Sequence, residues 1–476
     1  MSATAELGIA SQAAKINIPG RLERLPMTGY QKRLFTIVAT AWLADQVDVA
    51  LLVFLIGALK DYFNLSPIEI GYLASMTFLG QLVGNLLIGS ISDLYGRRIA
   101  FQSTMIIWGL ASFAAAGAWS VASLMVFRFL IGVGVGGEAP VAQAVLSEII
   151  PANVRAKYIA FMEGFWAVGF VISGIIAYTV LPVAGWRWVF VVVGLLSLVV
   201  LWVRRSLLES PRWLADHGRY AEADAVMSKI ESGVEAAYGG KLPAPKPFLA
   251  ETMLETRNPF AVLLSRFYLR PNLMAFSVWF FALLGFYGLT SWLAIILGQH
   301  GFSVVKSIGF ITLITLGGIP GFYTAALLLE RIGRKPTTAL YLLLSAVMAY
   351  VYGHAVDTTT LFISGFIMQF FMFGMWSCLY AYTPELYPTR ARSTAAGMAS
   401  AFGRVGAISG PIVVGYIIGA VGDTGVFTLG AASFAAAALV VMTLGIETRG
   451  RTLEEIVRQE EAANVGSVAQ TVKRAG

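Results

Sequence analysis

The chain has 476 residues, of which 57% are hydrophobic and only 13% are charged, whereas about a quarter of the residues in a soluble domain are charged. The composition therefore predicts a membrane protein. A single cysteine and three scattered histidines exclude an intrachain disulfide framework and give no metal-binding pattern, and we expect no cofactor.

The N-terminal segment, 1–33, contains basic residues but no short apolar stretch followed by a cleavage site, which predicts a cytoplasmic tail. Beyond it lie apolar runs of about 20 residues, each long enough to cross the hydrocarbon core as a helix. The twelve predicted spans lie near 34–59, 69–92, 99–118, 122–146, 156–180, 187–203, 271–297, 304–328, 337–354, 360–384, 393–419 and 424–445.

A polar segment, 204–270, divides the spans into an N-terminal bundle, 34–203, and a C-terminal bundle, 271–445. The segment predicts amphipathic cytoplasmic helices followed by a Pro-containing linker, and 446–476 predicts a second cytoplasmic tail. With both tails inside, 29 of the 34 Lys and Arg residues lie on the cytoplasmic side and 3 on the other. This bias follows the positive-inside rule, so the net charge of +7 predicts a bilayer and no nucleic-acid partner.

The two bundles repeat each other. "DLYGRR" ends the second span and "ERIGRK" ends the eighth, while "SEIIPANVRA" and "PELYPTRARS" follow the fourth and tenth spans. The spacing from Asp93 to Glu330 equals the spacing from Glu148 to Glu385, so both motifs recur at one offset. Six spans return the chain to its starting side, so the copies are parallel repeats about an axis normal to the membrane, with a substrate site expected near the midplane.

These motifs resemble the major facilitator superfamily. "GSISDLYGRR" is similar to the characteristic loop of that superfamily, and "RFLIGVGVGGEAP", "LESPRWL", "PELYPTRAR" and "IETRGRTLEEI" are similar to its sugar-porter branch. Helix 7, "FFALLGFYGLTSWL", lacks the paired glutamines of sugar porters. "ADQVDV", "EGFWAVG" and "FYGLTSWL" resemble niacin transporters, aromatic acid:proton symporters and the synaptic vesicle glycoprotein 2 family. The resemblance implies an all-α protein of two six-helix bundles, and a monomer.

The loop motifs predict ion pairs at the cytoplasmic surface that must break when an inner gate opens; the alternative is that the basic residues only set the topology. In this interpretation basic side chains face carboxylates and helix C-termini. The predicted gating residues are Asp93, Arg97, Arg98, Glu148, Arg155, Glu330, Arg334, Lys335, Glu385 and Arg392.

Charged residues inside spans are costly and therefore indicate a partner or a function. Arg128 lies about 10 Å into the fourth span, at a depth where Asp48 of the first span can reach it. The resemblance to proton symporters implies that Asp48 carries the coupled proton, although a purely structural ion pair is the alternative. Asp45 shares a helix face with Asp48, and we expect it to carry the proton or to bind substrate. Glu138 and Glu163 are expected in a structural or gating network.

Arg404 lies in the middle of the eleventh span, where an anionic substrate is a natural partner for a cation; structural pairing is the alternative. Several aromatic residues at mid-membrane positions match ligand-binding positions of the resembled families, with ordinary packing as the alternative. The predicted substrate-binding residues are Trp166, Phe286, Tyr287, Trp376, Tyr380, Arg404 and Asp45.

The resemblance and these residues together predict an inner-membrane symporter of protons and a small aromatic monocarboxylate, with nicotinate first and benzoate-type acids next. The expected mechanism is alternating access. A sugar or polyol symporter and a non-transporting receptor on the same fold are the alternatives. No combination of nucleophile, base and metal predicts an enzyme.

Overall fold

The computed structural model describes residues 16–245, 263–387 and 389–449, and within these ranges all regular structure is helical. The helices of the first half are α1 (Ile18–Glu23), α2 (Gly29–Phe63), α3 (Pro67–Tyr95), α4 (Arg97–Ala116), α5 (Val121–Ile149), α6 (Ala152–Ala184), α7 (Trp186–Leu196), α8 (Val199–Ser206), α9 (Pro211–Asp216) and α10 (Tyr220–Tyr238). A short 3₁₀-helix (Arg266–Tyr268) precedes the second half. The helices there are α11 (Leu269–Thr290), α12 (Leu293–Gln299), α13 (Val304–Thr315), α14 (Gly318–Ile332), α15 (Arg334–Gly353), α16 (Thr358–Glu385), α17 (Thr389–Val421) and α18 (Asp423–Leu444).

Twelve segments of the described chain are long and apolar enough to cross a membrane, which confirms the twelve predicted spans. The sixth span is formed by α7 and α8 and the eighth by α13 and α14. Between α7 and α8, the Ser197 hydroxyl donates to the Gly194 carbonyl at 2.7 Å and competes with the helical backbone. Pro320, in the first turn of α14, has no N–H to donate to the carbonyl of Leu316 between α13 and α14, and the helix is interrupted there.

The described structure falls into two compact units. Of the described residues, the first unit contains those within Met1–Thr256, Thr290–Thr315 and Pro411–Ala420, and the second contains those within Arg257–Leu289, Leu316–Gly410 and Val421–Gly476. In the first unit, α12, α13 and the C-terminal part of α17 therefore pack with helices of the N-terminal half.

Glycines of "GVGVGG" bring α3 and α5 into backbone contact. A Cβ added to Gly132 would lie 2.1 Å from the Thr77 carbonyl oxygen, and a Cβ added to Gly80 would lie 2.0 Å from the Phe129 carbonyl oxygen. Neither position has room for a side chain. The close approach places the Thr77 hydroxyl 3.0 Å from Nε of Arg128.

A second pair of glycines brings the C-terminal part of α17 against the start of α3, at the end of the helices opposite the N-terminus. A Cβ on Gly71 would lie 2.7 Å from the Pro411 carbonyl oxygen, and a Cβ on Gly415 would lie 2.7 Å from the Pro67 carbonyl oxygen. The two helices thus cross at reciprocal Pro-x-x-x-Gly segments.

The helix before the first span packs on the two helices of the polar segment. Ile18 and Leu22 of α1 share an apolar core with Trp213, Met227 and other residues of α9 and α10. The three helices therefore form a small polar-surfaced layer on the side of the N-terminus.

Arginine side chains tie α1 and its C-terminal end to α10. The Arg21 guanidinium binds Glu231 at 2.6 Å and Asp224 at 2.5 Å, and Arg24 binds Glu231 at 2.6 Å. Burial disfavours the ionised form of Glu231, but the hydrogen bonds from Arg21 and Arg24 outweigh burial and lower its pKa. The ionised carboxylate therefore stabilises this layer.

Candidate functional site

A buried ion pair joins α2 to α5. Nη1 of Arg128 lies 3.0 Å from Oδ1 of Asp48, and both side chains are 0% exposed. Nη1 also approaches the Asp48 carbonyl oxygen at 3.5 Å, and Nε donates to Thr77. The pair thus links three helices of the N-terminal bundle, α2, α3 and α5.

The Asp48–Arg128 pair does not use all of its hydrogen-bonding capacity. Among the described residues, Oδ2 of Asp48 and Nη2 of Arg128 have no hydrogen-bond partner. The Ser112 hydroxyl faces Asp48 from α4, but its contact does not have the geometry of a hydrogen bond. A buried pair that leaves polar atoms unsatisfied gains little net stability from its attraction, so a role other than stability is a natural explanation for its presence.

Asp45 lies one turn nearer the N-terminus of α2 and is also 0% exposed. The Gln46 amide donates to its Oδ2 at 3.2 Å. Gly169 of α6 makes room for Gln46, since a Cβ there would lie 2.8 Å from the Gln46 Cβ. Trp166, three residues earlier on α6, is 8% exposed and packs edge-on against Phe170 at 5.4 Å.

Four of the predicted aromatic residues cluster in the second unit, around the indole ring of Trp376. Its ring centroid lies 5.6 Å from that of Phe286, 6.4 Å from Tyr287 and 6.1 Å from Tyr380. Trp279, which the sequence did not single out, lies edge-on to Trp376 at 6.0 Å. The indole N–H of Trp279 donates to Thr383 at 2.8 Å.

Arg404 lies near the middle of α17, which runs from Thr389 to Val421. Its guanidinium faces the hydroxyl of Tyr287 on α11. Because Tyr287 also contacts Trp376, the second unit holds a cation at the edge of an aromatic cluster. Trp166 belongs to the first unit and Trp376 to the second.

The loop motifs of the C-terminal half form an ion-pair network. Nε of Arg334 lies 2.9 Å from a Glu385 oxygen, and Nη2 lies 3.1 Å from Glu330. Nη1 donates to the Leu329 carbonyl at the end of α14, at 3.1 Å. Arg392, also predicted for this network, is exposed.

The corresponding motifs of the N-terminal half make hydrogen bonds to backbone carbonyls and to a serine hydroxyl. Arg97 donates to the Ser92 carbonyl near the end of α3 at 2.9 Å. Glu148 accepts a hydrogen bond from the Ser210 hydroxyl, and Arg155 donates to the Ile150 carbonyl at 3.2 Å. The Asp93 side chain lies outside the described residues.

Two carboxylates that the sequence analysis did not single out cap the helices of these motifs. Glu209 accepts from the Arg97 backbone N–H at 2.8 Å, and Glu447 accepts from the Arg334 backbone N–H at 2.9 Å. In the sequence, each acid follows the last span of its bundle. In the structure, its carboxylate contacts the N-terminus of α4 or α15, where a negative charge is stabilised. Gly333, at φ 108°, leaves the space that the Glu447 carboxylate occupies.

The second basic residue of each motif takes part in the same capping. The Arg98 backbone N–H donates to Glu209 at 3.2 Å, and the Lys335 backbone N–H donates to Glu447 at 3.1 Å. Each capping carboxylate thus accepts hydrogen bonds from two consecutive backbone N–H groups at the start of a helix.

The hydroxyl that follows each capping acid binds the glutamate of the second loop motif. Thr448 donates to Glu385 at 2.6 Å, as Ser210 donates to Glu148. The signal in the sequence was the recurrence of an acid followed directly by a hydroxyl residue, "ES" and "ET", after the last span of each half.

The sequence matches the family model described as Major Facilitator Superfamily over residues 38–352 and 312–474. The chain belongs to the Major Facilitator Superfamily. It is 35% identical to the niacin transporter NiaP of Acinetobacter baylyi over 93% of this chain and 100% of that protein. It is 32% identical to a putative niacin/nicotinamide transporter NiaP of Bacillus subtilis, over 89% of this chain and 98% of the relative.

Among solved structures, the inward open conformation of the xylose transporter XylE from E. coli matches with a TM-score of 0.71 and 17% sequence identity, over 89% of this chain and 98% of that one. This likeness confirms the major facilitator fold. Because the relatives are named as transporters, the expectation of a transporter and not an enzyme is confirmed. The protein is a multi-pass membrane transporter of a small molecule.

Proposed function

We propose that this superfamily member imports a small aromatic monocarboxylate by proton symport, with nicotinate as the first substrate and benzoate-type acids next. The observation that supports the proposal most strongly is the Arg404 guanidinium, which faces the hydroxyl of Tyr287 beside the ring of Trp376. A guanidinium binds a carboxylate through two parallel hydrogen bonds, and aromatic side chains stack on a flat ring. The names of the two NiaP relatives support nicotinate.

The proton is carried on α2 in this proposal. Asp48 pairs with Arg128 when it is ionised, and protonation of the carboxylate removes its attraction for the guanidinium. Arg128 is then left without a countercharge, so the two protonation states favour different helix arrangements. Asp45, buried one turn away, senses the bound substrate.

We assign the basic ends of the helices to the cytoplasm. The excess of Lys and Arg on one side supports this orientation, with both termini inside and the protein in a bacterial inner membrane. The ion pairs of Arg334 with Glu385 and Glu330 then lie at the inner surface, where they act as a latch. Opening of the inner side breaks them, while Arg128 and Asp48 remain buried.

Uptake of radiolabelled nicotinate by proteoliposomes tests the proposal. We expect accumulation that a protonophore abolishes, and Asp48→Asn should be indifferent to the pH gradient. Arg404→Gln should weaken nicotinate binding and leave nicotinamide binding, which needs no cation, nearly unchanged. Arg404→Lys keeps the positive charge but loses the two parallel N–H donors of the guanidinium, and its nicotinate affinity should be intermediate.

The same vesicles separate the alternatives. Wild-type nicotinate affinity in Arg404→Gln would contradict the anion-binding role, and protonophore-insensitive uptake would contradict symport. Competition by sugars but not by pyridine acids would favour a sugar symporter. Binding without counterflow exchange would favour a receptor.

A further inference from the structure

Glu138 of α5 is a buried carboxyl group that the proposed mechanism does not use. Its side chain is 0% exposed, and neither carboxyl oxygen has a hydrogen-bond partner among the described residues. The Trp108 indole faces it from α4, but indole Nε1 makes no hydrogen bond of normal geometry. An ionised carboxylate without a cation or donor is very costly in such a site.

Among the side chains that the structure describes, the charged groups on the helices packed around α5 supply no cation at this depth. α5 ends at Ile149, on the side of the Lys- and Arg-containing loops, which we call the basic end of the helices. Ile149 lies about 16 Å from Glu138 at the helical rise. On α2 the nearby groups are Asp45 and Asp48, which are themselves acids. On α6 the group is Glu163, well inside a helix that begins at its basic end, and Lys157 lies nearer that end.

The other two helices packed on α5, α3 and α4, also provide no described cation near Glu138. The described side chains of α3 are uncharged between Glu69 and its basic end, and those of α4 are uncharged beyond Arg98. Arg128 lies on α5 itself, about 15 Å away along the axis, and is engaged by Asp48. The carboxyl of Glu138 is therefore neutral in this conformation.

Two more polar side chains lie on α5 and α6, separate from Glu138. Gln143, further along α5, donates from Nε2 to Oε1 of Glu163 at 3.0 Å, and Glu163 is 3% exposed. Two buried acids and an amide thus lie on facing helices between the Asp48–Arg128 pair and the cytoplasmic end. The internal repeat places Met375 opposite Glu138 and Ser400 opposite Glu163, so fold symmetry does not require acids here.

We propose that Glu138 is a second proton-carrying residue of this transporter and holds a proton in the conformation seen here, when the Asp48 carboxylate is paired with Arg128. The proposal rests on the proposed proton symport and extends it from one proton site to two. When the cytoplasmic side is wetted, the O–H bond of Glu138 breaks, the proton passes to water and the electron pair stays on the carboxylate. Gln143 and Glu163 line the way out.

Infrared spectroscopy of the purified protein tests the protonation state without any substrate. We expect a carbonyl band of a protonated carboxyl group that disappears in Glu138→Gln and persists in Asp48→Asn. Glu235→Gln, which removes an exposed glutamate of α10, is the matched control and should leave the band unchanged. A band that is unaltered in Glu138→Gln, or that is lost only in Glu163→Gln, would overturn the proposal.

Transport in proteoliposomes tests the coupling role. For one-to-one symport, a pH gradient of one unit supports about a tenfold nicotinate ratio across the membrane. A tenfold ratio of protons and a tenfold ratio of nicotinate correspond to the same free energy. In this proposal one proton is carried first by Asp48 and then by Glu138, so loss of either residue uncouples transport. We expect Glu138→Gln to keep counterflow exchange while its accumulation ratio falls to about 1, and Glu138→Asp to restore part of the accumulation. Wild-type accumulation in Glu138→Gln would refute coupling through this residue.

The outcomes also separate this proposal from the proposed function. If the wild-type protein accumulates no nicotinate, the proposed substrate or symport fails, while the infrared assignment of Glu138 is still decided. If Glu138→Gln does not purify as a folded protein, Glu138→Asp replaces it in the infrared measurement. The band must then shift with the shorter side chain, and an unmoved band would overturn the proposal.

Discussion

The burial of the Asp48–Arg128 pair predicts how single and double substitutions change the free energy of unfolding. Both side chains are 0% exposed, so removal of one partner leaves the other as an unpaired buried charge, at a cost of about 3–5 kcal/mol. In Asp48→Asn the partners that remain for the Arg128 cation among the described residues are neutral. Replacing both residues by apolar ones of similar size, in Asp48→Leu with Arg128→Met, removes the charge together with its partner and should be nearly neutral.

Thermal unfolding in detergent measures the difference. A domain of about 150–250 residues loses about 2–4 °C per kcal/mol, so a loss of about 3 kcal/mol lowers the melting temperature by about 6–12 °C. We expect Asp48→Asn and Arg128→Met each to melt in that lower range and the double variant to melt close to the wild-type protein. Nicotinate accumulation should be lost in all three variants.

Two results would refute this reasoning. If Asp48→Asn has the same melting temperature as the wild-type protein, another group stabilises the Arg128 cation and the two residues are not energetically coupled. If the double variant is stable and still accumulates nicotinate against a pH gradient, the pair has only a structural role.

Further predictions concern the helix crossing, the capping acids and the α1 layer. Gly71→Val should prevent the close contact of α3 with the Pro411 carbonyl, which lies 2.7 Å from the added Cβ, and thiol-labelling of cysteines placed at that end should increase. Unchanged labelling would show that the contact does not limit access from that end. Glu209→Gln and Glu447→Gln should each cost about 1 kcal/mol, seen as lower melting temperatures, whereas equal melting would assign the capping to other groups. Because the pKa of Glu231 is lowered in the folded protein, the stabilisation by its carboxylate is complete above the ordinary Glu pKa of about 4.3 and is lost as pH falls through the lowered pKa. Protease cleavage before α2 should therefore increase as pH falls over that range. An identical pH profile in Glu231→Gln would contradict this assignment.

Hydropathy and the charge distribution were sufficient to predict the twelve spans, because a bilayer imposes a fixed length and polarity on each crossing helix. The depth count that placed Asp48 opposite Arg128 worked for the same reason: straight helices of known rise convert sequence position into depth. Residues that meet at one depth on adjacent helices can be paired from sequence alone. No comparable count exists for a contact made by an extended segment.

The capping acids show where such counting ends. Glu209 binds the start of a helix that lies far earlier in the chain, and its loop has no periodicity from which that contact follows. Trp279 was missed for a different reason. Its environment is defined by which side of α11 faces α16, and an apolar helix in a membrane does not reveal its buried side through an alternation of polar and apolar residues.

The Glu447 cap also bears on how the protein is made. The basic end of each bundle is tied together by an acid that follows its last span, Glu209 in the first bundle and Glu447 in the second. Domains fold in order from the N-terminus as the chain is synthesised. The first bundle can thus complete its basic end while the second bundle is still being synthesised, whereas the second can do so only after its own last span and Glu447 have been made. A chain truncated just before Glu447 would contain every span and still lack the cap of α15.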